Sequence, residues 1–166
     1  MSEWTDEDDD KTRITTTLSK ENIEDLADVN LKYGAMSHIR EVQFFALRFE
    51  RGEKDAWDAL ANAFQRGFLV ELSSLHIDQV LLGDWGHGDR RREDRRCKAL
   101  AKALIAGALP NLTTLALRST GIGPDGCAAL AEAMRQDALP HLKLLPLAHN
   151  WFDDDGAKAL ARAMQE

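Results

Sequence analysis

The chain has 166 residues, 44% of them hydrophobic and 30% charged, which is enough apolar material for the continuous core of one domain. The formal charge is -7, but six of the negatives fall in residues 1–10, leaving 21 basic against 22 acidic side chains in the remainder; that balance excludes the broad basic footprint of a nucleic-acid binder. No run approaches the roughly 20 apolar residues of a membrane span, the N-terminus lacks a signal-peptide pattern, and Cys97 and Cys127 alone make neither a disulfide framework nor a zinc site, so a cytoplasmic or nuclear protein with reduced thiols is expected.

In chain order, residues 1–18 are acidic, then threonine-rich, and are predicted to be a disordered tail. Residues 19–38 are predicted to hold an N-terminal capping helix and a linker, because Ile23, Leu26, Val29 and Tyr33 recur at helical spacing and Ser19 or Asn22 can cap the helix start. From residue 39 onward the sequence repeats. Four heptapeptides share the form x-Ala-Leu-Ala-x-Ala-apolar: Asp58 to Phe64, Lys98 to Leu104, Ala128 to Met134 and Lys158 to Met164. Their leucine and the apolar residue four later share a helical face, and the alanines favour helix with little bulk.

Upstream of each heptapeptide runs a second pattern, Leu109-xx-Leu112-xx-Leu115-x-Leu117 in its clearest copy, whose last pair alternates as a short strand does. Aligning Ile39, Leu69, Leu109 and Leu139 gives spacings of 30, 40 and 30, hence repeats at 39–68, 69–108, 109–138 and 139–166. The second holds a ten-residue insertion within 78–96, predicted to form a mobile, protease-sensitive excursion over 83–95 whose second half, from Asp89, extends the next helix. A strand–helix unit repeated in this way buries its apolar faces only against its neighbours.

Two copies agree at every framework position: Leu115-x-Leu117-xx-Thr120-x-Ile122-xxx-Gly126-xxx-Leu130-xxx-Met134 and Leu145-x-Leu147-xx-Asn150-x-Phe152-xxx-Gly156-xxx-Leu160-xxx-Met164. This pattern resembles leucine-rich repeats of the ribonuclease-inhibitor-like class. The resemblance implies an α/β, right-handed solenoid over about residues 39–166, with parallel strands on the concave face and helices on the convex face. It also implies recognition of another protein, without naming a ligand.

Several residues look like chemistry and are read otherwise. Gly121-Ile-Gly123-Pro-Asp-Gly126 spells a phosphate-loop pattern, but Pro124 lacks an N–H where the loop turns in, so it is expected to be a framework turn. Asp153, Asp154 and Asp155 are expected to cap the fourth repeat's helix rather than hold a cation. His76, His87, His149 and Cys97 map to different layers, so no catalytic set is expected. Cys97 and Cys127 are expected to be small packing residues that do not pair.

Outward strand positions form columns in the same alignment: Phe44, Ser74, Thr114, Leu144; then Ala46, His76, Ala116, Pro146; then Arg48, Asp78, Arg118, Ala148; then Phe49, Gln79, Ser119, His149. Aromatic and arginine side chains in such columns suit an interface, so Phe44, Arg48, Phe49, His76, Asp78, Arg118, His149 and Trp151 are the candidate partner-binding residues. The expected function is non-catalytic binding of a partner protein, without cofactor, metal, small-molecule substrate, nucleic acid or membrane. A second reading is regulation of a small GTPase by Arg48 or Arg118, since the Ran GTPase-activating protein uses similar repeats; a third is nucleic-acid binding through Arg90, Arg91, Arg92, Arg95 and Arg96. Pro146 is expected to blunt a true edge strand, which favours a natural C-terminus.

Overall fold

The computed structural model describes residues 13–17, 20–34, 36, 38–46, 54–79 and 90–165. Strands β1 (Arg13–Thr17), β2 (Glu41–Ala46), β3 (Ser74–Gln79) and β4 (Thr114–Arg118) alternate with helices α1 (Lys20–Tyr33), α2 (Lys54–Gln65), α3 (Arg90–Ile105), α4 (Pro124–Arg135) and α5 (Asp154–Ala163). The strands form one parallel sheet in the order β1-β2-β3-β4, and each helix contacts the helix of the neighbouring unit. This α/β stack of strand–helix units is a leucine-rich-repeat-like solenoid.

The unit closes the same way each time. Val42, Leu75 and Leu115 lie in register, as do Phe44, Ile77 and Leu117, and all six are buried. They meet Leu60, Phe64, Leu100, Leu104 and Leu130 from the helix layer in one continuous core. Helix ends repeat as well: Gly67, Gly107 and Asp137 all have positive φ, and the next residue's amide reaches back to Ala63, Ala103 and Ala133, the hydrogen bond of a Schellman helix stop.

The expected disordered tail over 1–18 is corrected at its end. Residues 13–17 form β1, pairing Ile14 with Val42 and Thr16 with Phe44, so α1 belongs to a fifth strand–helix unit instead of standing alone. Thr15 and Thr16 are β-branched, and the neighbouring β2 supplies the ladder that a lone polar strand lacks. Asn22 lies inside α1, which begins at Lys20, so it is not the cap.

Register in the first repeat is corrected too. Val42 pairs with Leu75, where the sequence alignment set Phe45 there. The amide–carbonyl contacts Ile39 to Met36, Leu72 to Leu69, Leu112 to Leu109 and Leu142 to Leu139 mark the same site in successive units. The framework before β2 is therefore Met36-xx-Ile39-xx-Val42-x-Phe44. Phe44 is fully buried, not part of an outward column.

Within the inserted stretch, residues 80–89 lie outside the described residues, and Arg90–Ile105 is one helix. The expectation that the second half lengthens the next helix matches this, whereas a mobile excursion reaching residue 95 does not. Asp94 is buried and its carboxylate accepts the amides of Gly123 at 2.9 Å and Gly126 at 2.8 Å. The N-cap residue of helix α4, Gly123, offers no side-chain cap; α3 supplies one. Those bonds occupy the amides that a phosphate would need. Helix α5 is capped by Asp153, which accepts from the amides of Asp155 and Gly156, as the sequence suggested.

The last unit has no full strand. Leu144 makes an isolated bridge with Thr114, while the amides of Leu115, Leu117 and Ser119 donate to the carbonyls of Leu144, Pro146 and Ala148. In a parallel ladder a residue's amide and carbonyl face the same neighbour. The ring nitrogen of Pro146 therefore faces the Leu115 carbonyl on β4. The expected edge guard is corrected: Pro146 interrupts the inner ladder, and the backbone groups of Leu145 and Leu147 face the open side.

Candidate interaction face

One face of the sheet is covered by the helices. The opposite face carries the side chains that alternate with the core positions: Arg13 and Thr15 on β1, Glu41 and Gln43 on β2, Ser74, His76 and Asp78 on β3, then Thr114, Ala116 and Arg118 on β4. Leu144, Pro146 and Ala148 continue it along the edge segment. The face divides into two chemistries.

Across β1 to β3 it is a polar network. Arg13 donates to Gln43 at 2.8 Å and lies 3.4 Å from Glu41, Gln43 donates to Asp78 at 3.2 Å, and His76 Nε2 sits 2.8 Å from Ser74 Oγ and 3.7 Å from Glu41 Oε1. Because each side chain is held by a neighbour, the network presents its groups in fixed places and loses little rotamer entropy on binding. Toward the edge the face turns apolar, with Ala116 closed in and Leu144 59% exposed, and Arg118 exposed beside them.

Ser74, His76 and Glu41 carry the residue types of a hydrolytic triad without its geometry. Serine and carboxylate both meet Nε2, whereas a triad needs the base to hold the nucleophile on one ring nitrogen and the acid on the other. Cys97 and Cys127 are unreactive in kind: both are buried, free thiols. Burial first, then the charges of Asp94 and Asp153, pushes Cys127 up to about 11. Burial also raises Cys97, with Cys127 and Asp94 adding to it and Lys98 opposing. A thiolate nucleophile needs the opposite shift. Among the described residues, no three His, Cys, Asp or Glu side chains cluster as metal ligands, and no helix is long and apolar enough to cross a membrane.

The candidate residues separate under this geometry. His76, Asp78 and Arg118 share the outward face, with His76 and Asp78 half-buried in the network. His149 is exposed in the turn after the edge segment, at φ 60°, the place that Ser119 holds in the previous unit at φ 53°. Trp151 is half-buried in the loop before α5, its amide bonded to the Ile122 carbonyl at 2.9 Å. Phe44 is core, and Arg48 and Phe49 lie outside the described residues. Arg13, Glu41 and Gln43 were missed because the three-residue slip in β2 put other residues in their columns and β1 was not anticipated.

Between the third and fourth units, Asn150 ties the loops together. Its Oδ1 accepts from the Thr120 and Ile122 amides and the Thr120 hydroxyl, and its Nδ2 donates to the carbonyls of Leu117 and Leu147. Residues 108–131 and 138–161, which hold these two units, match the family described as Leucine Rich repeat. These two units thus match leucine-rich repeats, which generally mediate protein–protein interaction and are typically non-enzymatic. A search among curated proteins returns no match.

Proposed function

We propose that this protein is a non-catalytic binding module that engages a partner protein through the outward face of its sheet. The observation that carries this reading is the division of that face into a pre-ordered polar network over β1 to β3 and an apolar margin at the exposed Leu144 and Ala148 beside Arg118. A hydrophobic patch bordered by fixed polar groups is the anatomy of a protein interface. His149 and Trp151 extend the same margin. A protein partner fits better than nucleic acid, because basic and acidic side chains balance at 21 against 22 beyond residue 10, which leaves no broad phosphate-binding surface.

Photo-cross-linkers placed singly at Gln43, Arg118 and Leu144, and at Lys102 on the helix layer, test the reading. Partner adducts from the first three sites and none from Lys102 are expected. Adducts confined to Lys102 would move the binding surface to the helices. Stimulated GTP hydrolysis by a small GTPase, lost in Arg118→Ala, would replace passive binding with the regulatory alternative.

A further inference from the structure

Two adjacent places that carry hydroxyls in the middle of the stack change character together in the last unit. Where β3 and β4 are entered by Ser73-Ser74 and Thr113-Thr114, the edge segment has Lys143-Leu144. The hydroxyl at the first place ties each unit to the one before it: Ser73 donates to the Arg40 carbonyl at 3.0 Å and Thr113 to the Ser73 carbonyl at 2.9 Å. Lys143 keeps only the backbone part of that contact, its amide donating to the Thr113 carbonyl at 2.8 Å, and its side chain is exposed. At the second place Ser74 bonds His76, whereas Leu144 presents an exposed alkyl group. Neither replacement joins the stack together.

From Leu144 the outward positions run through Pro146 to Ala148, an apolar strip about 13 Å long at strand rise. A cation stands at each end. Lys143 precedes the strip, and Arg118 lies beside Ala148, whose carbonyl accepts the Ser119 amide at 3.0 Å. Among the described residues, neither side chain has a hydrogen-bond or ion-pair partner. Asp78 is the register partner of Arg118, but its carboxylate accepts from Gln43. The other outward acid, Glu41, lies between Arg13 and His76. Within residues 109–152 the acids are Asp125, Glu132 and Asp137, all on α4 or at its end. A chain of net charge -7 thus presents two uncompensated positive charges astride one apolar strip.

We propose that this strip receives an acidic segment of the partner protein, in which a large apolar side chain lies between two carboxylates. The apolar side chain packs on Leu144 and Pro146, and the carboxylates pair with Lys143 and Arg118. In an extended segment the two acids stand about four residues apart, the length of the strip at strand rise. Apolar burial supplies the affinity, while the paired charges fix orientation and reject basic partners. Nucleic acid suits the strip less, since its centre offers alkyl groups where a phosphate backbone seeks donors. The inference rests on the sheet-face reading and names the chemistry of the partner at that face.

The test selects random phage-displayed dodecapeptides on the full chain and measures the enriched ones by fluorescence anisotropy. Enriched peptides should carry Asp or Glu on both sides of a large apolar residue. Lys143→Glu combined with Arg118→Glu should weaken them about tenfold, as the loss of two interface ion pairs does, and should itself select peptides with Lys or Arg in those places. Both side chains are exposed, so the urea midpoint of this double variant should stay at the wild-type value, which separates lost binding from lost folding. Enriched peptides that lack acids yet are lost in Leu144→Asp would overturn the acidic partner and leave the sheet face as the binding surface. Peptides indifferent to both changes would remove the sheet face as well. No enrichment would overturn the proposal, and an oligothymidine bound by wild type and lost in the double variant would put nucleic acid in the peptide's place.

Discussion

The carboxylate of Asp94 accepts the Gly126 amide at 2.8 Å, so that one helix caps the start of the next. Glycine is needed at position 126, since a Cβ there would stand 2.8 Å from Asp94 and 2.9 Å from Ile122. The same carboxylate holds the Gly123 amide. Asp94→Ala leaves two buried amides without an acceptor and should cost about 2 to 3 kcal/mol in urea unfolding. Asp94→Asn keeps an acceptor oxygen and should lose less. Equal losses would mean that charge, not the hydrogen bonds, carries the contact.

Asp137 has φ 54° where the equivalent helix stops use Gly67 and Gly107. Glycine adopts this left-handed backbone without the Cβ penalty. Asp137→Gly should therefore stabilise the protein by about 0.5 to 1 kcal/mol, the reduced strain outweighing the added freedom of the unfolded chain. Gly107→Ala should destabilise by a similar amount, because no contact compensates: the space around its Cβ is open. Chemical denaturation of both variants checks the opposite signs.

How far the sequence revealed this arrangement depends on what each residue had to satisfy. The third and fourth units were legible because Leu115 to Met134 and Leu145 to Met164 repeat at every framework place. The first unit slipped by three because the upstream framework itself steps by three. Ile39, Val42, Phe45 and Leu47 fill the pattern as well as Met36, Ile39, Val42 and Phe44, and only the pairing of Val42 with Leu75 separates them. That slip turned Phe44 outward and hid Gln43 from the interaction face. Strand β1 was invisible for a different reason, since its one apolar residue, Ile14, offers no periodicity and its order comes from β2. Asp94 stands among Arg90, Arg91, Arg92, Arg95 and Arg96 in the sequence, and a cap supplied by another helix leaves no local signature.

Leu130 and Met164 test the register of the helical repeat from opposite ends. Leu130 is 1% exposed between the sheet and the neighbouring helices, while Met164 is 57% exposed on the last helix. Leu130→Ala should destabilise by about 2 to 5 kcal/mol through lost burial and the cavity left behind. Met164→Ala should cost well under 1 kcal/mol, as should Lys158→Ala. Comparable urea midpoints for Leu130→Ala and Met164→Ala would show that the helical faces are misassigned.

Cys127 makes stability sensitive to alkaline pH. Its thiol ionises near 9 when unfolded and is pushed up to about 11 in the fold, chiefly by burial and then by Asp94 and Asp153. Between those values the unfolded chain releases the proton while the folded chain keeps it, so the contribution is fully present below pH 9 and is lost as pH rises toward 11. Urea midpoints should fall across that window. Cys127→Ala should fall less steeply there and match wild type in slope below it. Parallel curves for the two proteins would remove Cys127 as a cause.

Pro146 gives the sharpest test of the edge. Its carbonyl accepts the Leu117 amide at 2.9 Å, and the Leu144 carbonyl accepts that of Leu115 at 3.0 Å. In parallel pairing this places the nitrogen of residue 146 opposite the Leu115 carbonyl, where proline has no hydrogen to give. The missing bond explains why pairing beside β4 is reduced to the single bridge at Leu144. Pro146→Val supplies that donor and a residue that favours strand. The gain is internal to the chain, because the backbone groups that face the open side belong to Leu145 and Leu147 and are untouched by the substitution. Valine should therefore raise the unfolding free energy read from urea denaturation by about 0.5 to 1.5 kcal/mol, the net worth of a ladder hydrogen bond, with a protected amide at residue 146 and slower exchange at residue 148. Sedimentation velocity should show no new dimer. A variant that self-associates without gaining stability would return Pro146 to the role of an edge guard.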